Sequence, residues 1–338
     1  MKLWKNNKIV HEQFPPISPG EGSFEESVSL NSTAAAYDAA AQTYTGYASG
    51  DGAENLWAFL TPSGEHAYSH SDRVLWDCLR GRLDSIPNEQ SIRILDAGAG
   101  DGIWALRIAE YLAARKRRYE ITAVDVSSEM LNEAERQKSI WEKKYSAQLQ
   151  VRFAPCNLEE PLPFDANQFD LTFALYTVLN HIDRNKLPVT IHEIMRVTRD
   201  LAVCVIKTPD GSPTAFTTQF ENVTEFAYDM GKVTFRDRSG NLQKVNATLL
   251  TVPELSELFE SQGGKIVDKF GIDIFVSPLV GKSRMSKAQQ IVGEPFVMED
   301  IASWESDLCR MPSALDFANH VALVVESCGN DWTRSNGL

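Results

Sequence analysis

The chain has 338 residues, 43% of them hydrophobic, and no apolar run near the roughly 18 residues that a membrane span needs. Such a length can bury a full core as one large domain or two, and no internal repeat or low-complexity tract divides it. A formal net charge of −13 argues against a face that holds nucleic acid nonspecifically, because phosphate binding draws on clustered Lys and Arg.

Cys78, Cys156, Cys204, Cys309 and Cys328 lie far apart with no signal-like segment ahead of them, so free thiols and a reducing cytoplasm are expected. His66 and His70 are four apart but have no third ligand near them in sequence, and no metal site is expected. Residues 1–33 are polar and proline-bearing and read as a loose arm without chemistry. From Ala34 the chain turns alanine-rich, which favours a helix. Tyr37 and Tyr44 are seven apart and share one face of it, a spacing that serves packing as well as a ligand. A second helix, Ser71 to about Leu83, carries Val74, Leu75, Cys78 and Leu79 as a stripe that should dock on a sheet edge. Residues 34–90 thus read as a helical cap, with Asp84 to Gln90 as the linker.

The stretch IRILDAGAGDG, Ile92 to Gly102, is a short β-branched strand that breaks into three glycines at alternate positions. Such a strand turns tightly into a helix and leaves its backbone bare for a ligand. A dinucleotide fingerprint requires glycine at its sixth position, and Ile103 stands there, which counts against an NAD-binding oxidoreductase. The run Ile94, Leu95, Asp96, Gly98, Gly100 and Gly102 resembles the first motif of the class I S-adenosylmethionine-dependent methyltransferases. The resemblance implies an α/β fold with a doubly wound, seven-stranded, mostly parallel sheet. It also implies S-adenosyl-L-methionine as cofactor, held by Asp96, Gly98 and Gly100. Small-molecule methyltransferases often close a tyrosine-bearing helix over the cofactor, which makes Tyr37 and Tyr44 candidate contacts.

After Gly102, the residues Trp104, Ile108, Tyr111 and Leu112 keep the core spacing of a helix, and Arg115 to Arg118 read as its solvated C-terminus. The strand Tyr119 to Val124 ends at Asp125, where a carboxylate can bind a ribose diol. AVDVSSEML resembles the family segment in which this Asp holds the ribose hydroxyls and the next residue, Val126, touches adenine. Ser127 or Ser128 can cap the following helix, whose apolar face has Met130, Ala134 and Trp141. A third strand, Leu149 to Ala154, runs into Asn157 and Leu158, which the resemblance puts at the adenine amino group. Pro155-Cys156 follows this third strand rather than the fourth, unlike the Pro-Cys pair of cytosine-C5 methyltransferases, so no thiolate nucleophile is expected.

Phe169 to Leu175 is the fourth strand, and the resemblance sets Leu175 and Tyr176 beside the methionine part of the cofactor. The N/D-P-P-Y signature of exocyclic-amine methyltransferases is missing, which counts against base or peptide-amide acceptors. A sulfonium methyl needs mainly in-line orientation. Where the acceptor is a phenol or a protonated amine, Tyr176 or His181 is the nearest base, although His181 could equally hold the loop by a hydrogen bond. Further on come a helix with Leu187, Ile191, Ile194 and Met195, and a doubly buried strand, Leu201 to Ile206. Thr208 to Leu250 is too long for an α/β connection of about 2 to 6 residues and should contain a hairpin that turns at Ser239-Gly240. Thr251-x-x-Glu254 is a capping box, Lys265 to Phe275 a sixth strand and Val321 to Val325 a seventh.

The expected organisation is an arm (1–33), a cap (34–90), a cofactor-binding domain (91–328, with insertions at about 208–250 and 277–318) and a tail (329–338). Rim insertions suit a pocket for a small-molecule acceptor methylated at O or N, with neither nucleic acid nor membrane as partner. Methylation of RNA or protein, or a non-catalytic cofactor-binding subunit, are the alternatives. Oligomeric state is not legible in this sequence.

Overall fold

The computed structural model describes residues 34–35, 37–38, 67–145, 148–208, 224–229, 231–236, 242–274, 303–315 and 318–327. The expectations for the arm, Tyr44, Cys328 and the tail lie outside the described residues. Seven strands form one sheet in the order β3-β2-β1-β4-β5-β10-β9. They are β1 (Ile92–Ala97), β2 (Tyr119–Asp125), β3 (Val151–Pro155), β4 (Phe169–Ala174), β5 (Thr198–Lys207), β9 (Gly264–Ile272) and β10 (His320–Ser327). Pairing is parallel from β3 through β5, while β10 runs antiparallel to both of its neighbours, β5 and β9. This is the mostly parallel seven-stranded α/β sheet that the first motif implies. Strand order reverses between β1 and β4, so a crevice opens beyond their carboxyl ends.

The doubly buried runs fall in the middle of the sheet. All six residues of β4 are buried, as are the last seven of β5 and the first six of β10. Helix α2 (Ile103–Ala114) buries Trp104, Ile108, Tyr111 and Leu112, as its spacing predicts. Helix α1 (Ala67–Ser85) buries Val74, Leu75 and Leu79 and packs on the edge strand β9, with Cys78 partly covered. The arginines after α2 do more than meet solvent. Arg117 donates to the carbonyls of Ile86 and Pro87, Arg118 donates to that of Glu89, and Arg115 lies over the Tyr111 ring, so the linker is clamped to the end of α2.

Several strand boundaries move: β5 opens at Thr198 rather than Leu201, and β10 extends to Ser327 rather than Val325. The third strand starts at Val151, two residues later than expected, where its pairing with Ile121 begins. The sixth ends at Ile272, because Asp273 takes a left-handed conformation (φ 59°) that breaks the extended run. Inside the insertion the expected hairpin is present as β7 (Lys232–Arg236) and β8 (Leu242–Asn246). A further strand, β6 (Thr224–Asp229), pairs with β7 and completes a small three-stranded sheet; Gly231 (φ 84°) lies in the turn between them.

Helices α3 (Ser128–Tyr145) and α4 (Leu187–Val197) cross between strands, and α5 (Val252–Ser261) precedes β9. No helix among the described residues is long and apolar enough to cross a membrane. Cys78, Cys156, Cys204 and Cys309 are free, and no metal-binding cluster of His, Cys, Asp or Glu occurs among the described residues.

The capping box of α5 forms as the sequence predicts: Thr251 Oγ1 accepts from the Glu254 N–H at 3.3 Å, and Glu254 Oε2 accepts from the Thr251 N–H at 2.8 Å. Replacing Thr251 by Ala should therefore cost about 0.5 to 2 kcal/mol in chemical denaturation, and an unchanged midpoint would show that packing alone holds this helix.

Candidate active site

The crevice between β1 and β4 is built around the glycine turn. Gly98 and Ala99 donate to the carbonyl of Val124 at 2.8 and 2.9 Å, and all three glycines have positive φ. Their reasons for being glycine differ. At Gly98 a Cβ would meet the Val178 methyls at 2.6 Å, and at Gly102 it would meet Phe153 and Ala134 at 2.8 and 2.9 Å. Both are packing positions, where the chain itself occupies the space. Only at Gly100 (φ 54°) does a Cβ meet nothing within 4 Å, so this backbone is the one that faces open space. At Gly98 packing against Val178 alone already calls for glycine.

Asp125 holds the turn from behind. Its Oδ2 accepts from the Gly100 N–H at 2.8 Å and its Oδ1 from the Ser127 N–H at 2.9 Å. Burial raises its pKa, while these backbone donors pull it back. Each oxygen keeps a lone pair, so the carboxylate can still accept from two hydroxyl donors. Ser127 Oγ caps α3 by accepting from the Met130 N–H at 3.1 Å. Val126 beside it is half-buried.

Asp96 ends β1 behind the turn and is buried, and its Oδ2 has no hydrogen-bond partner among the described residues. Burial first, and then the charge of Asp125, push its pKa up to about 7. Asp101 is raised by burial to about 6. On the third-strand loop, Asn157 turns inward to its own backbone: Oδ1 accepts from the Glu159 N–H at 2.9 Å and Nδ2 donates to Glu160 at 3.1 Å. Leu158 next to it is buried. Cys156 has its thiol pKa raised by burial, which agrees with the rejection of a thiolate nucleophile.

The β4 end forms the opposite wall. Leu175 is buried, and Tyr176 and Thr177 both hold positive φ (51° and 64°), an uncommon pair for non-glycine residues. Tyr176 is half-buried and stacks on Trp104, with centroids 6.0 Å apart. His181 hydrogen-bonds through Nδ1 to the Asn246 carbonyl at 2.7 Å, and Nε2 lies 3.4 Å from the Thr177 hydroxyl. A carbonyl can only accept, so Nδ1 carries the proton and Nε2 is the lone-pair nitrogen. Desolvation lowers the pKa of His181 and keeps it neutral.

The cap reaches this wall. The Tyr37 ring meets His181 edge-on at 5.3 Å, and Asp38 accepts from Ser127 Oγ and, at 3.2 Å, from the Glu129 N–H at the start of α3. A carboxylate at a helix N-terminus is electrostatically favoured, so Asp38 anchors the tyrosine helix across the mouth. Asp38 escaped the sequence reading, although an acid beside Tyr37 was its signal. Asn180, just before His181, is buried. Its amide bridges the Lys207 N–H and the carbonyls of Lys207 and Thr248 at 2.7 to 2.9 Å, tying β4, β5 and the insertion together.

Comparison with known proteins follows this geometry. The family described as "Methyltransferase domain" matches residues 94–200, from β1 to the start of β5. Residues 94–200, about a third of the chain, are thus similar to methyltransferase domains. This chain is 36% identical across 101 residues to a ubiquinone/menaquinone biosynthesis C-methyltransferase UbiE of Rickettsia prowazekii (strain Madrid E). That match covers 30% of this chain and 38% of the relative. The Geobacter sp. (strain M21) protein of the same name is 29% identical over 117 residues, covering 35% and 46%. The chain thus spans less than half the length of the curated relatives it matches. In fold it is similar to the [4+2]-cyclase SpnF, with a TM-score of 0.52 at 18% identity, covering 87% of this chain and 94% of that one.

The glycines make one prediction. Gly98→Ala should lower stability by about 1 to 3 kcal/mol through overpacking on Val178, whereas Gly100→Ala should cost about 1 kcal/mol for its backbone alone. Equal losses in urea denaturation would contradict the distinct roles of the two glycines.

The raised acids make another. Asp96 and Asp101 hold protons more tightly folded than unfolded, so stability is greatest below about pH 4 in their terms and falls as pH rises through 6 and 7. Asp96→Asn should flatten that decline by an amount on the order of 2 to 4 kcal/mol. A variant with the same stability difference between acid and neutral pH as the parent would put the titration elsewhere.

Proposed function

We propose that the protein transfers the methyl group of S-adenosylmethionine to a small-molecule acceptor at O or N. The observation that carries the reading is the Gly100–Asp125 pair: an open backbone beside a half-buried carboxylate with two lone pairs left, at the strand-order reversal of the sheet. The residues present fit the cofactor. Asp125 would hold the ribose diol, and Val126 and Leu158 would flank adenine. Asp96, with its unfilled Oδ2, suits a cationic or N–H-bearing group, and Leu175 and Tyr176 would border the methionine chain. Because Asn157 is committed to its own loop, its contact with adenine would require that turn to open.

S-adenosylmethionine supplies a methyl group already activated by its sulfonium, so the chain has mainly to bind, orient and exclude water. Tyr37 and Asp38 close the mouth, and the neutral Nε2 of His181 can receive a proton from an acceptor hydroxyl or amine. The small-molecule assignment is supported by the net charge of −13, which opposes long phosphate chains. It is also supported by a cap and an insertion that both reach His181. A second reading, transfer to carbon, is favoured by the UbiE proteins, whose name specifies a C-methyltransferase. Cytoplasmic location is supported by the free thiols among the described residues.

Calorimetry with S-adenosylmethionine and S-adenosylhomocysteine tests cofactor binding. Asp125→Ala should weaken it by about 1.5 to 3 kcal/mol, the range for hydrogen bonds to a charged group. The same variant should also loosen the glycine turn, so Asp125→Asn, which keeps one acceptor, serves as the control for folding. Neither ligand binding to the parent protein would remove the reading altogether. Incubation with methyl-labelled cofactor and an extract of the source cells then tests the acceptor: label chiefly in RNA or protein would overturn the small-molecule assignment.

A further inference from the structure

Behind Tyr176, at the carboxyl rim of the sheet, lies a buried polar group that the cofactor reading leaves unused. His320 opens β10 opposite Lys207, the last residue of β5, and directly opposed residues of an antiparallel pair share one face. His320 is buried, and neither ring nitrogen has a hydrogen-bond partner among the described residues. Its ring lies edge-on to Tyr176, with centroids 5.5 Å apart. Lys207 is buried too, and its Nζ donates to Asn319 Oδ1 at 2.7 Å, whose Nδ2 donates to Asp273 Oδ2 at 2.8 Å. The polar chain from Lys207 to Asp273 is therefore joined up, and the imidazole beside it is not.

An imidazole that offers one donor and one acceptor to nothing incurs the desolvation cost of both. A hydroxyl answers that need: it donates to the ring nitrogen that lacks a proton and accepts from a donor nearby. We propose that His320, with Lys207 beside it, is the hydroxyl-binding end of the acceptor pocket, and that the acceptor is a neutral hydroxyl-bearing small molecule, phenolic or enolic, rather than an amine. The proposal rests on the methyl-transfer reading for its location next to Tyr176, and it narrows the choice between O and N.

Electrostatics supports the narrowing. Burial, and then the Lys207 charge, depress the pKa of His320 to about 3, and burial lowers that of Lys207 to about 8, with Asp273 opposing the latter shift. The forces that forbid an imidazolium here act equally on a protonated amine, whereas a hydroxyl or an incipient oxyanion is favoured by the ammonium. His320 thus binds and orients as a neutral ring; it is not the base. A hydroxyl would reach the buried imidazole only with the half-buried Tyr176 ring turned aside from it.

The test uses phenol as probe and protonated benzylamine as its cationic counterpart, on the full chain with ring-labelled histidine. Phenol should shift the His320 ring signals in NMR. His320→Leu should weaken phenol binding about ten-fold, the scale of one or two neutral hydrogen bonds, and His320→Gln should restore most of it. Benzylamine should leave the His320 signals unmoved. Unshifted signals with phenol would overturn the proposal, as would equal phenol affinity in a folded His320→Leu protein, or benzylamine binding as tightly as phenol. S-adenosylhomocysteine titrated in parallel separates the two readings: its failure to bind the parent protein sinks methyl transfer, whereas its normal binding to the His320→Leu protein alongside a lost phenol response assigns the defect to the acceptor subsite.

Discussion

The structure depends on one carboxylate that serves two backbones. Asp125 accepts from the N–H of Gly100 on one side and of Ser127 on the other, so the turn after β1 and the start of α3 are fixed to each other. Everything at the crevice follows from that bond. The turn held in this position brings Gly98 against Val178 and Gly102 against Phe153 and Ala134, which leaves Gly100 as the open surface. Ser127, held by the same group, caps α3 and receives Asp38 from the cap, which in turn carries Tyr37 to His181. A hydrogen bond to a charged group is worth about 1.5 to 3 kcal/mol, so this pair of bonds can fix loop geometry that side-chain packing alone would leave soft.

The same rim withholds charge. Asp96 and Asp101 are pushed toward neutrality, Lys207 is lowered toward it, and His181 and His320 are kept uncharged, each chiefly by burial. A cleft in which titratable groups are desolvated before any ligand arrives is arranged for differential interaction: a ligand of the right charge is rewarded by groups that water has not already satisfied. The two walls differ in sign. Acids lie behind the glycine turn, and Lys207 lies behind Tyr176, so a cationic group is favoured at the first and a neutral or anionic one at the second.

How much of this was legible in the sequence follows from what each residue responds to. The strands, their burial and the glycine turn were legible because β-branched runs and alternate glycines are local patterns with local causes. The packing reason for Gly98 was not legible, because it is set by the atom opposite the absent side chain, and Val178 is eighty residues away in sequence. His320 gave no signal at all: one histidine at the start of an apolar strand looks like any other, and its meaning comes only when β10 inserts antiparallel beside β5 and sets it against Lys207. Asp38 was hidden in the same way, since a cap residue acquires a role only from the helix end that it meets.

The division between the two halves of the site also explains why likeness to other proteins speaks for one and not the other. The family match ends at residue 200, and the matched stretch contains the glycine turn, Asp125 and the β4 corner. Lys207, Asp273, Asn319 and His320 all lie beyond it. The [4+2]-cyclase SpnF is similar in fold at 18% identity, and a shared fold does not by itself fix a reaction. In this chain the antiparallel β10 is the strand that matters, because its reversed direction puts its first residue, not its last, at the functional rim. An insertion that shifted β10 by one residue would turn His320 to the opposite face of the sheet and replace it with an apolar neighbour, while the core would lose little. Acceptor chemistry can therefore change by register alone, with the cofactor half untouched.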